Sequence, residues 1–111
     1  MFETSDANSK PELRPLRVAS RKEGVYEEAK DMVADLANWR LISADEKSCT
    51  IVCERKGGLV GGTSKVTIQV DGPEGIPSAT VNVKSESQSG LFANDKSVVL
   101  EFMKPFTRRV C

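Results

Sequence analysis

Histidine is absent from this sequence, and aromatic residues are scarce: one tryptophan, one tyrosine and four phenylalanines in 111 residues. Histidine is the side chain that titrates near neutral pH and the commonest metal ligand, so its absence excludes histidine-dependent hydrolysis and argues against a zinc site. So few aromatic rings provide no platform for stacking single-stranded nucleic acid. The sequence therefore predicts no metal and no cofactor. It favours a non-enzymatic domain, since an enzyme would have to rely on Ser, Thr, Asp, Lys or Cys chemistry.

Net charge and long apolar runs are also missing. The 16 basic residues balance the 16 acidic ones, so bulk charge favours neither nucleic acid nor a membrane surface as partner. No apolar run approaches the roughly 20 residues of a membrane-spanning helix. The first residues, "MFETSDANSKPELRP", lack the basic and apolar regions of a signal peptide. These features predict a cytoplasmic protein.

Cysteines number only three, which is an odd count. Cys49 and Cys53 lie four residues apart in a predicted strand, on one face, with their Cα atoms about 13 Å apart at the rise of an extended chain. That distance is too long for a disulfide, so both are predicted to be small buried apolar groups. Cys111 ends the sequence and is predicted to be exposed. All three are expected to be reduced thiols.

The chain divides into a polar start and one folded unit. Residues 1–15 carry two prolines and no hydrophobic period, which predicts a mobile N-terminal tail, followed by a single domain over 16–111. After a short strand at 16–19, "SRKE" matches a capping box in which Ser20 and Glu23 begin a helix over about 21–37. A second amphipathic helix is predicted from Asn94 or Asp95 to about Arg109, with a kink or break at Pro105.

Between these helices the sequence alternates with a period of two. Apolar alternation with turn residues between the runs predicts four strands, at 39–43, 49–55, 65–70 and 78–87. The complete order is β-α-β-β-β-β-α. Short connections favour an antiparallel sheet, and each helix has only one apolar stripe. The predicted fold is therefore α+β, a two-layer sandwich of about five antiparallel strands with two helices on one face and a polar face open to water.

The last predicted strand changes character in "VKSESQSGLF". Ala79, Val81 and Val83 share the inner face, and Ser85, Ser87 and Ser89 continue that face as a ladder of hydroxyls. Two interpretations are open: the sheet simply extends past its helical cover here, or the ladder lines a polar cleft for an anion or another hydrogen-bonding ligand. The candidate ligand-binding residues are Ser85, Ser87, Ser89, Gly90, Asn94 and Asp95.

A glycine-rich connection, "KGGLVGG" over 56–62, suggests a second candidate surface. The stretch "GGLVGGTSK" fails as a phosphate-binding loop because Thr63 stands where lysine is needed and a strand follows instead of a helix. A flexible hairpin loop is the simpler interpretation. Leu59 and Val60, held between pairs of glycines, are candidate partner-binding residues.

The strand, the serine ladder and the closing helix, "VNVKSESQSG" and then "VVLEFMKPF", resemble the end of domain of unknown function family 1499. That family closes with V-R-S-x-S-R-x-G before an amphipathic helix, and Val83, Ser85, Ser87 and Gly90 match it. Lys84 and Gln88 replace its two arginines. Since the family has no settled activity, the resemblance implies architecture more than function.

The leading functional prediction is a small non-enzymatic domain that binds a ligand or partner through a polar cleft near the serine ladder. The alternative is a protein-protein interaction or assembly module that uses the 57–62 loop and the exposed face of the sheet.

Overall fold

The structure, a computed structural model, describes residues 1–57, 62–87 and 95–110. Within these residues the chain forms an open antiparallel sheet and two helices, so the predicted α+β class is confirmed, and the predicted order β-α-β-β-β-β-α follows one additional N-terminal strand. The elements are β1 (Phe2–Glu3), a 3₁₀ turn (Pro11–Leu13), β2 (Leu16–Val18), α1 (Lys22–Asp35), β3 (Trp39–Asp45), β4 (Thr50–Lys56), β5 (Thr63–Asp71), β6 (Ala79–Ser87) and α2 (Asp95–Val110).

The sheet is an open meander, and the N-terminal strands cover one of its two edges. Strands β3, β4, β5 and β6 pair in sequence order, and β1 and β2 both pair antiparallel with the outer edge of β6. Helix α1 connects β2 at one edge of the sheet to β3 at the other. The described sheet thus ends in β3 on one side and in β1 and β2 on the other.

One hydrophobic core lies between the helices and one face of the sheet. Strand residues at alternate positions, such as Ile51, Ile68 and Val83, are fully buried in it, whereas their neighbours on the other face are half-buried or exposed. The two helices contribute their apolar stripes to the same core cluster. Arg109 of α2 also bridges to α1, with its Nε 2.8 Å from Glu28 Oε2.

The N-terminal segment is part of the packed fold, which corrects the predicted tail over 1–15. Phe2 and Glu3 pair with β6, and the side chain of Leu13 is buried in the core. Thr4 is also buried: its amide donates to the carbonyl of Val83 at 2.9 Å, and its hydroxyl accepts from the amide of Val83 at 3.1 Å. These contacts come from isolated residues with no period, which is why hydrophobic pattern did not reveal them.

The start of α1 and the course of α2 through Pro105 each differ from what the sequence pattern predicted. The N-cap of α1 is Arg21, and no side chain caps the helix, so the capping box of Ser20 and Glu23 does not form. Pairing of Val18 with Ala79 determines where the chain leaves the sheet, and the helix then begins one residue too late for Ser20 to cap it. Helix α2 continues through Pro105, so the predicted break does not occur and the alternative of a kink stays a prediction.

Candidate functional site

The serine ladder meets the start of α2 at a buried hydrogen bond. Ser85 faces the core from β6 and is fully buried, as the period of two predicts. Its hydroxyl donates to Asp95 Oδ1 at 2.8 Å, and the other carboxylate oxygen of Asp95 lies 3.0 Å from the α-ammonium of Met1. Asp95 is only 6% exposed. Both candidate residues therefore already have partners within the chain.

The local sequence explains this cluster. Ser85 takes the inner position after Val81 and Val83, and Asp95 is the first residue of α2, where a negative charge is stabilised by the helix dipole. The pairing of Phe2 with Ser85 brings Met1 to the same place. Nothing in the sequence pattern indicated this third contribution.

The remaining candidate residues divide into two groups. Ser87, the last residue of β6, is half-buried. Predictions for Ser89, Gly90 and Asn94 lie outside the described residues, as do those for Leu59 and Val60 in the glycine-rich connection. The structure thus brings Ser85 and Asp95 together, and the polar cleft as a whole stays a prediction.

A different surface lies along β3, the edge strand of the sheet. Within the described residues no strand pairs with its outer edge. Every side chain from Arg40 to Asp45 is exposed. Leu41 and Ile42 are 43% and 50% exposed, so two large apolar side chains lie adjacent on an edge strand. An uncovered edge of this kind presents backbone N–H and C=O groups that another strand can pair with.

The register between β3 and β4 determines which way the β3 side chains face. Arg40 lies opposite Glu54 and Asp45 lies opposite Thr50, on the outer face of the sheet. Leu41 lies opposite Cys53, on the helix-covered face. The register shifts between Leu41 and Ser43, so Ile42 is the extra residue of a β-bulge. Because of the bulge, the side chains of both Arg40 and Asp45 lie on the outer face, although the two residues are an odd number of positions apart.

A shallow cavity of about 210 Å³ adjoins the bulge. It is lined by Ile42, Val52, Cys53, Glu54 and Lys65. One wall carries an ion pair, because Arg40 Nη2 lies 3.3 Å from Glu54 Oε1. The cavity offers an apolar floor with charged groups at the rim, and this is a suitable place for a side chain from a bound segment.

A polar network fixes the start of β3 against α2. The indole Nε1 of Trp39 donates to Glu101 Oε1 at 2.7 Å, and Arg55 Nη2 lies 2.8 Å from Glu101 Oε2. Trp39 also packs against Phe102, with ring centroids 6.0 Å apart. Arg55 Nε is buried and has no acceptor among the described residues. One carboxylate, that of Glu101, therefore connects two neighbouring strands to the helix layer at the first residue of β3.

Neither described cysteine is suited to nucleophilic chemistry. Cys49 and Cys53 are buried free thiols, so the prediction that they form no disulfide with one another is confirmed. Burial raises the pKa of Cys53 from its ordinary value of 9.0 to about 12, and burial also raises the pKa of Cys49. Both thiols are therefore protonated at neutral pH, whereas the reactive form is the thiolate. Cys111 lies outside the described residues.

Over 1–57, 62–87 and 95–110 no cluster of three or more Cys, Asp or Glu side chains is arranged to hold a metal ion. Neither α1 nor α2, the helices of the part that the structure describes, is long and apolar enough to cross a membrane.

The described residues define an α+β domain with an open antiparallel sheet, in which no described strand pairs with the outer edge of β3 and two apolar side chains of β3 are exposed. No protein-family model matches the sequence. No match was found among curated proteins either. The resemblance to domain of unknown function family 1499 therefore stays a prediction.

Proposed function

We propose that this chain is a non-enzymatic protein-interaction domain that binds an extended polypeptide segment along β3. The observation that carries the proposal is the pair of exposed apolar side chains, Leu41 and Ile42, on an edge strand with no partner among the described residues. Strand addition to such an edge gains main-chain hydrogen bonds, and alternate side chains of the added strand then meet the two faces of the sheet.

The contrast between the two edges of the sheet supports this proposal. The outer edge of β6 is covered by β1 and β2, and the backbone of Val83 between them is paired with Thr4. The edge formed by β3 has no such cover within the described part of the chain. It instead carries a bulge and two charged residues, Arg40 and Asp45, which are features that limit unspecific edge-to-edge pairing. The combination favours a partner whose charges are opposite in sign to those of Arg40 and Asp45 and lie beside them.

The neighbouring surface supplies a place for side-chain recognition. The cavity lined by Ile42 and Val52 lies beside the edge, where a side chain of an added strand would reach it. The outer face of the sheet continues from there as half-buried polar side chains such as Thr67 and Gln69. Backbone pairing along β3 would supply affinity, and this cavity would supply selectivity. A cytoplasmic setting for this interaction stays a prediction from the sequence.

Peptides selected from a random displayed library against the immobilised domain test the proposal. We expect binding peptides to slow hydrogen exchange of the β3 amides over 39–45. Ile42→Asp should weaken their binding about tenfold, because a charge then replaces a central apolar contact. Ile76→Asp is the matched control, since Ile76 is equally exposed at 52% but lies in the turn between β5 and β6. Equal effects of the two substitutions, or protection mapped away from β3, would contradict the proposal.

A polar ligand at the serine ladder is the second candidate function. The buried carboxylate of Asp95 supports it, because Asp95 already holds a cationic group, the α-ammonium of Met1, at 3.0 Å. It ranks second because the hydroxyl of Ser85 is already donated to Asp95. A ligand would have to displace contacts that the chain itself makes.

A further inference from the structure

We infer that the strand added to β3 is β3 of a second copy of this chain, paired antiparallel about a two-fold axis. This inference rests on the proposed function and names its partner. Opposite charges lie towards the two ends of β3: Arg40 stands near one end, Asp45 is the last residue, and the residues between them are uncharged. A strand with opposite charges at its two ends complements itself when a copy runs in the opposite direction.

The register that pairs these charges also satisfies the faces of the sheet. Because Arg40 and Asp45 share the outer face, Arg40 of one copy lies opposite Asp45 of the other, and the two-fold axis repeats the pair. The same register places Leu41 opposite Ala44, and these two share the other face, since Ala44 lies opposite the buried Ile51 of β4. Cross-strand pairs on the same face are the contacts that stabilise a sheet.

Other alignments lose this match. A parallel pairing in register sets Arg40 against Arg40 and Asp45 against Asp45, and like charges directly opposite one another are destabilising. A shift of one residue places Arg40 and Asp45 on opposite faces, where they cannot meet. The charge pattern therefore selects one direction and one register.

Existing contacts of the two charged residues leave them able to pair. Arg40 is 3.3 Å from Glu54 of its own chain, but this ion pair is on the surface and therefore weak. A guanidinium has five N–H donors, so it can bind two carboxylates at once. Asp45 accepts the amide of Lys47 through Oδ1 at 3.0 Å, and its other oxygen is not used in that turn. Pairing with a second copy thus adds contacts without breaking these.

A charge exchange between two single variants tests the inference. Arg40→Glu makes both ends of β3 negative and Asp45→Arg makes both ends positive, so each variant should repel its own copies. The dissociation constant of each homodimer, measured by sedimentation equilibrium, should rise about tenfold or more above that of the unsubstituted chain. An equal mixture of the two variants restores both pairs and should form a heterodimer with the original affinity. Native mass spectrometry identifies the heterodimer by its mass.

Arg108→Glu is the matched control, because it makes the same change of charge at an exposed position of α2 and should leave self-association unchanged. Concentration-dependent protection of the amides over 39–45 gives a second readout that needs no variant. A monomer at millimolar concentration, homodimers insensitive to the substitutions, or a mixture that stays monomeric would each overturn the inference. If such a result accompanies library peptides that protect β3, the proposed function stands and only its partner is wrong.

Discussion

Ser85 is a polar residue at a position where strand alternation calls for an apolar one, and its neighbour Asp95 is a buried carboxylate. Each residue gives the other a hydrogen-bond partner in the interior, since the Ser85 hydroxyl donates to the Asp95 carboxylate at 2.8 Å. A buried polar group without a partner lowers the free energy of unfolding by more than an ordinary hydrogen bond raises it. Loss of one member of this pair would therefore matter mainly because the other would be left buried without its partner.

Ser85→Ala is therefore expected to lower the free energy of unfolding by about 1–3 kcal/mol, because it leaves Asp95 with one acceptor unpaired. Urea unfolding followed by circular dichroism measures the change. Ser20→Ala is the matched control, and it should cost no more than about 0.5 kcal/mol, because Ser20 caps no helix. If Ser20→Ala costs about 1 kcal/mol instead, the capping box predicted from the sequence forms after all.

The thiol of Cys53 makes stability depend on alkaline pH. Its pKa is 9.0 in the ordinary case and about 12 in the fold, so above pH 9 the unfolded chain loses this proton and the folded chain retains it. The stabilisation is complete below about pH 9 and is lost as the pH rises towards 12, with a slope of up to about 1.4 kcal/mol per pH unit. Cys53→Ala should be less stable at neutral pH but should decline less steeply between pH 8 and 11 in urea unfolding. Parallel pH profiles for the two proteins would contradict this assignment.

At the scale of elements, periodicity predicted what depends on repetition. The strands β3 to β6 and both helices lie within a few residues of their predicted bounds, because each has an apolar period that only one geometry satisfies. Hydrophobic periodicity was less reliable for effects that depend on a single residue. Pro105 removes one amide from α2, yet the helix continues to Val110, because Phe102, Met103 and Phe106 bury the stripe on both sides of it. Tertiary packing there outweighs the local cost of proline.

The candidate site was predictable to the same extent. Strand phase placed Ser85 in the interior, and capping preference placed Asp95 at the start of α2. The open edge of β3 was not predictable, because the pattern of a strand does not tell whether it lies at the centre or the edge of a sheet. That depends on which strands pair, and the pairing of β2 with β6 is a long-range choice. Leu41 and Ile42 looked like ordinary strand residues until the topology placed them on an edge strand, where they are 43% and 50% exposed.

At the scale of the whole molecule, the N-terminal segment is a structural component of the core. Leu13→Ala should lower the free energy of unfolding by about 2–5 kcal/mol, because Leu13 is buried beneath α2 and its truncation leaves a cavity. Leu41→Ala removes the same atoms from an exposed position and should cost less than about 1 kcal/mol. Urea unfolding of both variants measures the difference. Equal small costs would mean that residues 1–15 behave as the tail that composition predicts.

The cover over β6 has a consequence for how large an assembly can grow. Between Ala79 and Ser85 its outer edge is occupied by β2, Thr4 and β1, so the described sheet offers a partner one reactive end instead of two. In the language of polymer chemistry, a unit with two reactive ends gives chains and a unit with one gives only pairs. The few residues that cover the edge of β6 would therefore prevent further strand addition there, and assembly through β3 would end at a dimer.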